Sequence, residues 1–292
     1  MRTFREIEKT VISNKKTRTI VLAGAHDNSS LEAIIKAKQK GLLKAILIGN
    51  SRIIRRLLKE HNERYEDYRI INSNNDDEIA NLTFNLIKQK EADIAMKGLI
   101  MTSTFLKAAF NKEYGLVNKN ALVSQVGICE HNEKLLFYTD CAINISPTVK
   151  DRIKMINNLK PLCNALKIKK PKVVPLSVIE KISPKIQSSI DAKEIAKHKF
   201  NDFVVEGPLA LDGALSSDSI KHKNISSKIK GNADIVVMPN IEMGNVFYKS
   251  ITYIANKDSA SLALGAKVPI ILTSRSDSTT SKYYSIITSL LL

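Results

Sequence analysis

Apolar residues along this chain fall in short runs that alternate with stretches of helical periodicity, and small or polar residues mark the joins. Residues 19–24 (TIVLAG) form a buried-strand run ending in small side chains. Leu31, Ile34 and Ile35 then recur at helical spacing; Asp27, Asn28 and Ser29 offer caps, Ser29 and Glu32 are set for a capping box, and Gly41 closes the helix. Residues 45–49 predict the next strand, 52–61 a helix, 68–72 a strand and 76–89 a helix. Residues 92–96 predict a further strand, after which Thr102 or Ser103 is placed to cap a helix carrying Phe105, Leu106, Ala109 and Phe110. Strand and helix in alternation call for a mostly parallel sheet covered by helices.

Residues 121–130 and 134–140 read as a strand pair around the turn His131-Asn132-Glu133. Ser146 followed by Pro147 predicts a helix start, and Pro161 predicts a break in that helix. A strand at 173–177 and a strand and turn at 203–208 lead to the most informative segment, 231–282. There two buried runs, 233–238 and 269–272, each break abruptly into polar residues. After the first come residues 239–245 (PNIEMGN) and a helix through Tyr248 and Lys249; after the second come residues 273–278 (TSRSDS) and a helix through Lys282. Apolar strand, sharp polar turn and helix start is how α/β proteins present ligand-binding groups at the carboxyl end of a sheet. Backbone N–H groups, hydroxyls and one guanidinium in such turns suit an anion, so the pair predicts one shared anionic site. Lys97, at the end of its predicted strand beside Gly98, is read either as a charge that meets ligand or as an ordinary exposed lysine.

Composition narrows the class. The 292 residues can bury one large core or two of ordinary size. No run approaches the roughly 18 apolar residues that a membrane helix requires, and the first nine residues carry no secretory or transit signal, so the cytoplasm is expected. Cys129, Cys141 and Cys163 are odd in number and lack CxxC spacing, which points to neither a disulfide framework nor a metal site. The formal charge of +16 comes mostly from lysine and peaks at residues 150–172, where eight Lys and Arg face the single acid Asp151. No aromatics interleave there and no nucleic-acid motif is present, so small polyanionic substrates are favoured over nucleic acid as partners.

Five blocks in order, MKGLIMTSTFLKAAFNKEYGL, KPKVVPLSVIEKISPKI, VEGPLALDGALS, GNADIVVMPNIEMGNVFYKS and LGAKVPIILTSRSDSTTSKYYSI, resemble the phosphate acetyl/butyryltransferase family, most of all its butyryl branch. The resemblance implies transfer of an acyl group from acyl-CoA to inorganic phosphate, giving acyl phosphate and free CoA. Coenzyme A is substrate or product, and no cofactor is needed. It implies two α/β/α lobes with mostly parallel sheets and a cleft between them, similar to isocitrate/isopropylmalate dehydrogenases. One lobe would comprise residues 1–140 plus 276–292 and the other 141–275, with the active site in the cleft and a homodimer or an assembly of dimers as the working form.

On the family pattern, Arg275 would hold phosphate and the developing oxyanion, and Ser274 would bond the thioester carbonyl or sulfur. Gly244, Asn245 and Ser276 would line the phosphate turn, and Lys97 and Lys249 would add charge. Gly98, Thr102 and Ser103 would sit beside them, with Glu206, Gly207, Pro208, Asp212 and Glu242 shaping the facing loops. Each has a plainer alternative. Arg275 could form a salt bridge between lobes, Ser274 could cap the last helix, Lys249 could be solvated, and Asp212 and Glu242 could be structural acceptors. His26 is expected at the surface. The acetyl branch has an acid seven residues after its motif serine; Ser281 stands there in this chain. Asp277 is therefore the expected general base for the CoA thiol. Met243 occupies a position where the butyryl pattern commonly has a small residue. Phosphate acetyltransferase, and a non-catalytic relative that binds CoA or polyanions, are the alternatives to a butyryl enzyme.

Overall fold

A computed structural model describes residues 1–14 and 16–292. The chain opens with α1 (Phe4–Ser13), β1 (Arg18–Ala23), α2 (Asn28–Gln39), β2 (Leu43–Gly49), α3 (Ser51–Glu60), β3 (Arg69–Asn72), α4 (Asp76–Lys88), β4 (Ile94–Lys97) and α5 (Thr102–Ala109). Side chains start most of these helices: Asp27, Asn50 and Asn75 accept the N–H groups of Ser30, Ile53 and Glu78. The cap of α2 is thus Asp27, and the Ser29–Glu32 box is not formed. At α5 neither Thr102 nor Ser103 caps; both lie within the first turn, and Met101 precedes it with its own N–H given to the Asp76 carboxylate at 2.9 Å.

A second group of elements follows: β5 (Ser124–His131), β6 (Lys134–Thr139), α6 (Val149–Asn158), α7 (Lys160–Ala165), β7 (Lys172–Pro175), α8 (Gln187–Lys197), β8 (Val204–Val205), α9 (Leu211–Leu215), α10 (Ser217–His222), β9 (Ile235–Val237) and α11 (Ile241–Tyr253). Asn132 and Glu133 take positive φ of 46° and 59°, the two-residue turn that matches strand twist, and His131 pairs with Lys134. Thr148, two residues beyond the expected Ser146, starts α6 in a reciprocal capping box with Asp151. Pro161 falls in the first turn of α7, where its missing N–H has no helical acceptor to lose, and the helix breaks before it as predicted. The chain then returns through β10 (Ser259–Leu264), β11 (Ile270–Ile271) and α12 (Thr279–Ser289). The β10 segment SASLAL is buried along its whole length, its two serines included.

These elements form two units. The terminal unit comprises Phe4–Ala121 and Asp258–Leu292; the central unit comprises Met1–Thr3 and Leu122–Lys257. Both boundaries differ from 140/141 and 275/276, for a reason of strand pairing. The β5–β6 hairpin is joined to β9 through parallel β6, which places it in the central sheet, ordered β5-β6-β9-β7-β8. In the terminal sheet, ordered β3-β2-β1-β4-β11-β10, β11 pairs parallel with β4 and antiparallel with β10, while α12 packs on α2 and β10. Within each unit the ladders other than the β5–β6 and β10–β11 pairs are parallel, as the strand–helix alternation requires.

One buried charge in the central unit is structural. Arg152 of α6 is 1% exposed and pairs with Asp191 of α8, whose other oxygen accepts from Gln187 at 2.7 Å. Removing one partner of such a pair strands the other charge in low dielectric. Asp191→Ala is expected to lower unfolding free energy by about 3 kcal/mol, and Arg152→Met by less than half as much, because Asp191 keeps Gln187 and reaches solvent. Urea titration checks this, and equal losses from the two variants would show that the guanidinium is not the group at risk.

Candidate active site

The carboxyl ends of β1, β4 and β11 lie side by side in the terminal sheet, because the three strands run parallel and adjacent. The loops leaving β1 and β4 touch through their backbones. Gly98 N–H donates to the Ala23 carbonyl at 2.8 Å and Leu99 N–H to the Gly24 carbonyl at 2.9 Å. A Cβ on Gly98 would lie 2.6 Å from the Gly24 oxygen, and one on Gly24, at φ +75°, would lie 2.5 Å from the Leu99 oxygen. Neither backbone can yield, so glycine is required at both places.

Lys97 ends β4 and is buried, not the exposed lysine of the plainer reading. Its ammonium donates to the Gly98 carbonyl at 3.2 Å. Burial, and then the positive charges of Arg275 and Lys282, lower its pKa to about 8, while Asp27 and Asp277 act in the opposite direction. These four residues therefore surround Lys97 at electrostatic range. Asp27 and Lys282 form an ion pair of 2.9 Å, with the Lys282 side chain almost fully buried and its ammonium also bonded to Ser29. Burial pushes the Asp27 carboxyl up, but hydrogen bonds from Ser30 and Lys282, with the Lys282 charge, outweigh it and hold the group below the usual carboxylate range.

The turn after β11 is organised by Asp277. Its buried carboxylate accepts the Ser274 N–H at 2.7 Å, and its own N–H donates to the Ser274 carbonyl at 3.2 Å. The hydroxyls of Ser274 and Ser276 lie 3.1 Å apart and share a hydrogen bond. Ser278, not Ser274, caps α12 by accepting the Ser281 N–H. Arg275 projects to solvent, makes no ion pair among the described residues, and donates to the Met101 sulfur at 3.0 Å. Ser281 is buried; its hydroxyl accepts the Ser259 N–H and reaches the Asp258 carboxylate at 3.1 Å. Lys97, Gly98, Ser274, Arg275, Ser276 and Asp277 are thus gathered in one unit, and Asp27, Asp258 and Lys282 join them without having been singled out as site residues. Asp27 stood in the sequence only as a cap candidate, and Lys282 only as the end of a helical run. Thr102 and Ser103 are exposed on the first turn of α5. His26 is half-buried, with Nδ1 buried and unpartnered, and not at the surface as expected.

The turn after β9 lies in the central unit, so the two polar turns expected to share a site belong to different units. Asn240 caps α11 by accepting the Met243 N–H at 2.9 Å. Gly244 is required: a Cβ there would lie 1.9 Å from the Asp140 carbonyl oxygen. The Asn245 amide donates to the Cys141 carbonyl at 3.3 Å, and the buried Asp140 carboxylate accepts the N–H groups of Ala142, Ile143 and Asn144. Glu242 and Met243 are exposed. Lys249 is not simply solvated; its ammonium lies 5.6 Å from the Tyr248 ring centre and 5.7 Å from that of Tyr253. The facing-loop residues are tied within this unit. Glu206 accepts from the Lys228 and Ile229 N–H groups and the Ser227 hydroxyl, and a Cβ on Gly207 would lie 3.1 Å from the Pro175 oxygen, beside buried Pro208. Asp212 pairs with Lys223, which also bonds Glu180. Burial pushes the thiol pKa of Cys129 up to about 11 and of Cys163 up to about 12, and that of Cys141 well above its ordinary value. All three are neutral thiols in the core.

Among the described residues no helix is long and apolar enough to cross a membrane, and no group of three or more His, Cys, Asp and Glu is placed to hold a metal. A family model described as Phosphate acetyl/butaryl transferase matches residues 3–90 and 80–289. The phosphate butyryltransferase of Clostridium acetobutylicum is 38% identical over 98% of this chain and 96% of its own length. The phosphate acetyltransferase of Thermotoga maritima is 32% identical over 96% and 97%. A branched-chain phosphotransacylase from Enterococcus faecalis V583 superposes with a TM-score of 0.83 at 33% identity, covering 94% of this chain and 98% of that one. With its paired βα turns, its glycine contacts and these full-length matches, the chain belongs to the phosphate acetyl/butyryl transferase family of acyltransferases.

Proposed function

We propose that this protein transfers a short-chain acyl group, butyryl foremost, from acyl-CoA to inorganic phosphate, reversibly and by direct displacement in a ternary complex. The observation that carries this reading is the group formed by Arg275, Lys97 and the Ser274–Ser276 hydroxyls at the carboxyl ends of adjacent strands. It offers fixed positive charge and donors where phosphate and a thioester oxyanion need them. A phosphate oxygen attacks the thioester carbonyl carbon, the C–O bond forms, and the C–S electron pair leaves on sulfur, which takes a proton to become the CoA thiol. Among the described residues Arg275 has no carboxylate partner, and it is available to phosphate. Ser274 donates to the carbonyl oxygen or sulfur. No cofactor or metal takes part in this proposal.

We assign Gly98, Thr102, Ser103 and Ser276 to the phosphate or CoA side of the terminal unit, and Glu242, Gly244, Asn245 and Lys249 to substrate binding in the central unit. Glu206, Gly207, Pro208 and Asp212 shape a loop there through the contacts described. A homodimer or an assembly of dimers in the cytoplasm completes the reading; Val246 and Tyr253 of α11, and Ile254 just beyond it, are exposed apolar side chains. A reading as phosphate acetyltransferase is supported by relatives of that name at similar identity.

Three measurements test the assignment. Phosphate-dependent thiol release is expected to peak with butyryl-CoA among acetyl-, propionyl-, butyryl- and isobutyryl-CoA, and Arg275→Ala should lower kcat/KM by about 100-fold or more. Release that peaks with acetyl-CoA selects the acetyl reading, and a full-rate Arg275→Ala overturns the arginine's role. Asp277→Asn separates two roles: near-wild-type turnover marks a residue that holds the turn, because the amide oxygen still accepts the Ser274 N–H, whereas loss of turnover with loss of one limb of the pH–rate profile marks a general base. For Lys97 the charge is present below a pKa of about 8 and is lost as pH rises through it. The apparent affinity for phosphate should therefore fall between pH 8 and 10 in the wild type and change little in Lys97→Met. Identical profiles would remove Lys97 from the site.

A further inference from the structure

The lysine-rich stretch 150–172 takes no part in the reading above, and its second half borders a cavity of about 570 Å³ in the central unit. The cavity opens at the amino ends of β7 and β8, whereas the Asn240–Asn245 turn follows the carboxyl end of parallel β9, so the two lie at opposite edges of this sheet. Its floor is apolar: Cys163, Pro171 and the Phe203 ring are buried, and half-buried Ile168 joins them. Asn164 and Asn201, both exposed, also line the cavity. Lys167, Lys169 and Lys170 rim the mouth, exposed and without an ion pair among the described residues, and the Lys160–Asp202 pair at 2.7 Å closes one side. The lining thus carries four lysines against one aspartate.

The backbone favours this arrangement at a cost. Lys167 and Lys170 take φ of 58° and 47°, the left-handed region that glycine or asparagine enters most readily. The turn is fixed by Lys167 N–H on the Asn164 carbonyl and Ile168 N–H on the Cys163 carbonyl, both at 2.9 Å. A cavity of this size with an apolar floor and a few convergent polar groups has the form of a small-molecule site. The aromatic floor suits a flat ring, amides present both donor and acceptor to the edge of a base, and unpaired ammonium groups suit phosphate.

We propose that this cavity is a second ligand site, distinct from the acyl-transfer residues, and that it takes a nucleotide with its base on Phe203 and Pro171 and its phosphates on Lys167, Lys169 and Lys170. Calorimetric titration with ADP, in an Arg275→Ala background that weakens phosphate binding at the proposed substrate site, tests it. One ADP per chain is expected, with adenosine and inorganic phosphate each at least tenfold weaker. The combined variant Lys167→Asn, Lys169→Gln, Lys170→Asn, whose asparagines suit the left-handed positions, should weaken ADP at least tenfold and leave the thermal midpoint unchanged. In an otherwise wild-type chain the same three changes should leave acyl transfer at saturating substrate unaltered. Absence of ADP binding, unchanged affinity in the triple variant, inorganic phosphate binding as tightly as ADP, or stoichiometric displacement of ADP by butyryl-CoA would each overturn the proposal.

Discussion

The ion pair between Asp27 and Lys282 joins the first βα turn of the chain to its last helix, 255 positions apart in sequence. The Lys282 side chain is almost fully buried and the Asp27 side chain mostly so, and removing either partner would leave the other charge without its ion pair. The pair fixes α12 against α2, and with it the turn from Thr273 to Ser278 that leads into α12. It also sets the electrostatics around Lys97. Without the Asp27 carboxylate, Lys97 would lose one of the two negative charges that oppose its desolvation, and its proton would leave at lower pH.

Lys97 shows how a parallel sheet assembles a charge that solvent would otherwise disperse. All four residues of β4 are buried, Lys97 at its end included. Desolvation and like charge pull the ammonium toward neutrality, and two nearby carboxylates restrain it. An anion entering such a place meets charge that is already desolvated and held in position, which is where electrostatic stabilisation is strongest. Asp277 serves the same end by a different route. It accepts the Ser274 N–H in the turn where the Ser274 and Ser276 hydroxyls meet and from which Arg275 projects to solvent.

The central unit uses steric constraint where the terminal unit uses charge. Gly244 lets the first turn of α11 press on the Asp140 carbonyl, and Asp140 in turn gathers the N–H groups of the following three residues. Several polar residues expected to meet ligand are satisfied within that framework. Glu206 holds residues 227–229, and Asp212 is neutralised by Lys223. Both kinds of constraint act at strand ends, the one part of a covered parallel sheet where backbone and side chains face away from the core.

Strand and helix order was legible because each buried strand is a short apolar run and each helix repeats at its own period; those patterns are local and survive any packing. The two polar turns and their glycines were legible for the same reason, and so was the family, through five ordered blocks. Asp27 caps α2 as one of three candidates, and the cap of α6 moved from Ser146 to Thr148, because several neighbouring polar side chains can reach the same N–H groups and only the path of the chain selects one. The β10 strand escaped because its small, partly polar segment SASLAL does not stand out as an apolar run, although every residue of it is buried. Unit boundaries depended on which strands pair, a choice made between segments far apart in sequence. Least legible was the company of Lys97: that Asp27, Arg275, Asp277 and Lys282 surround it follows from strand order β1-β4-β11 and from α12 packing on α2, and a linear sequence carries no direct sign of either.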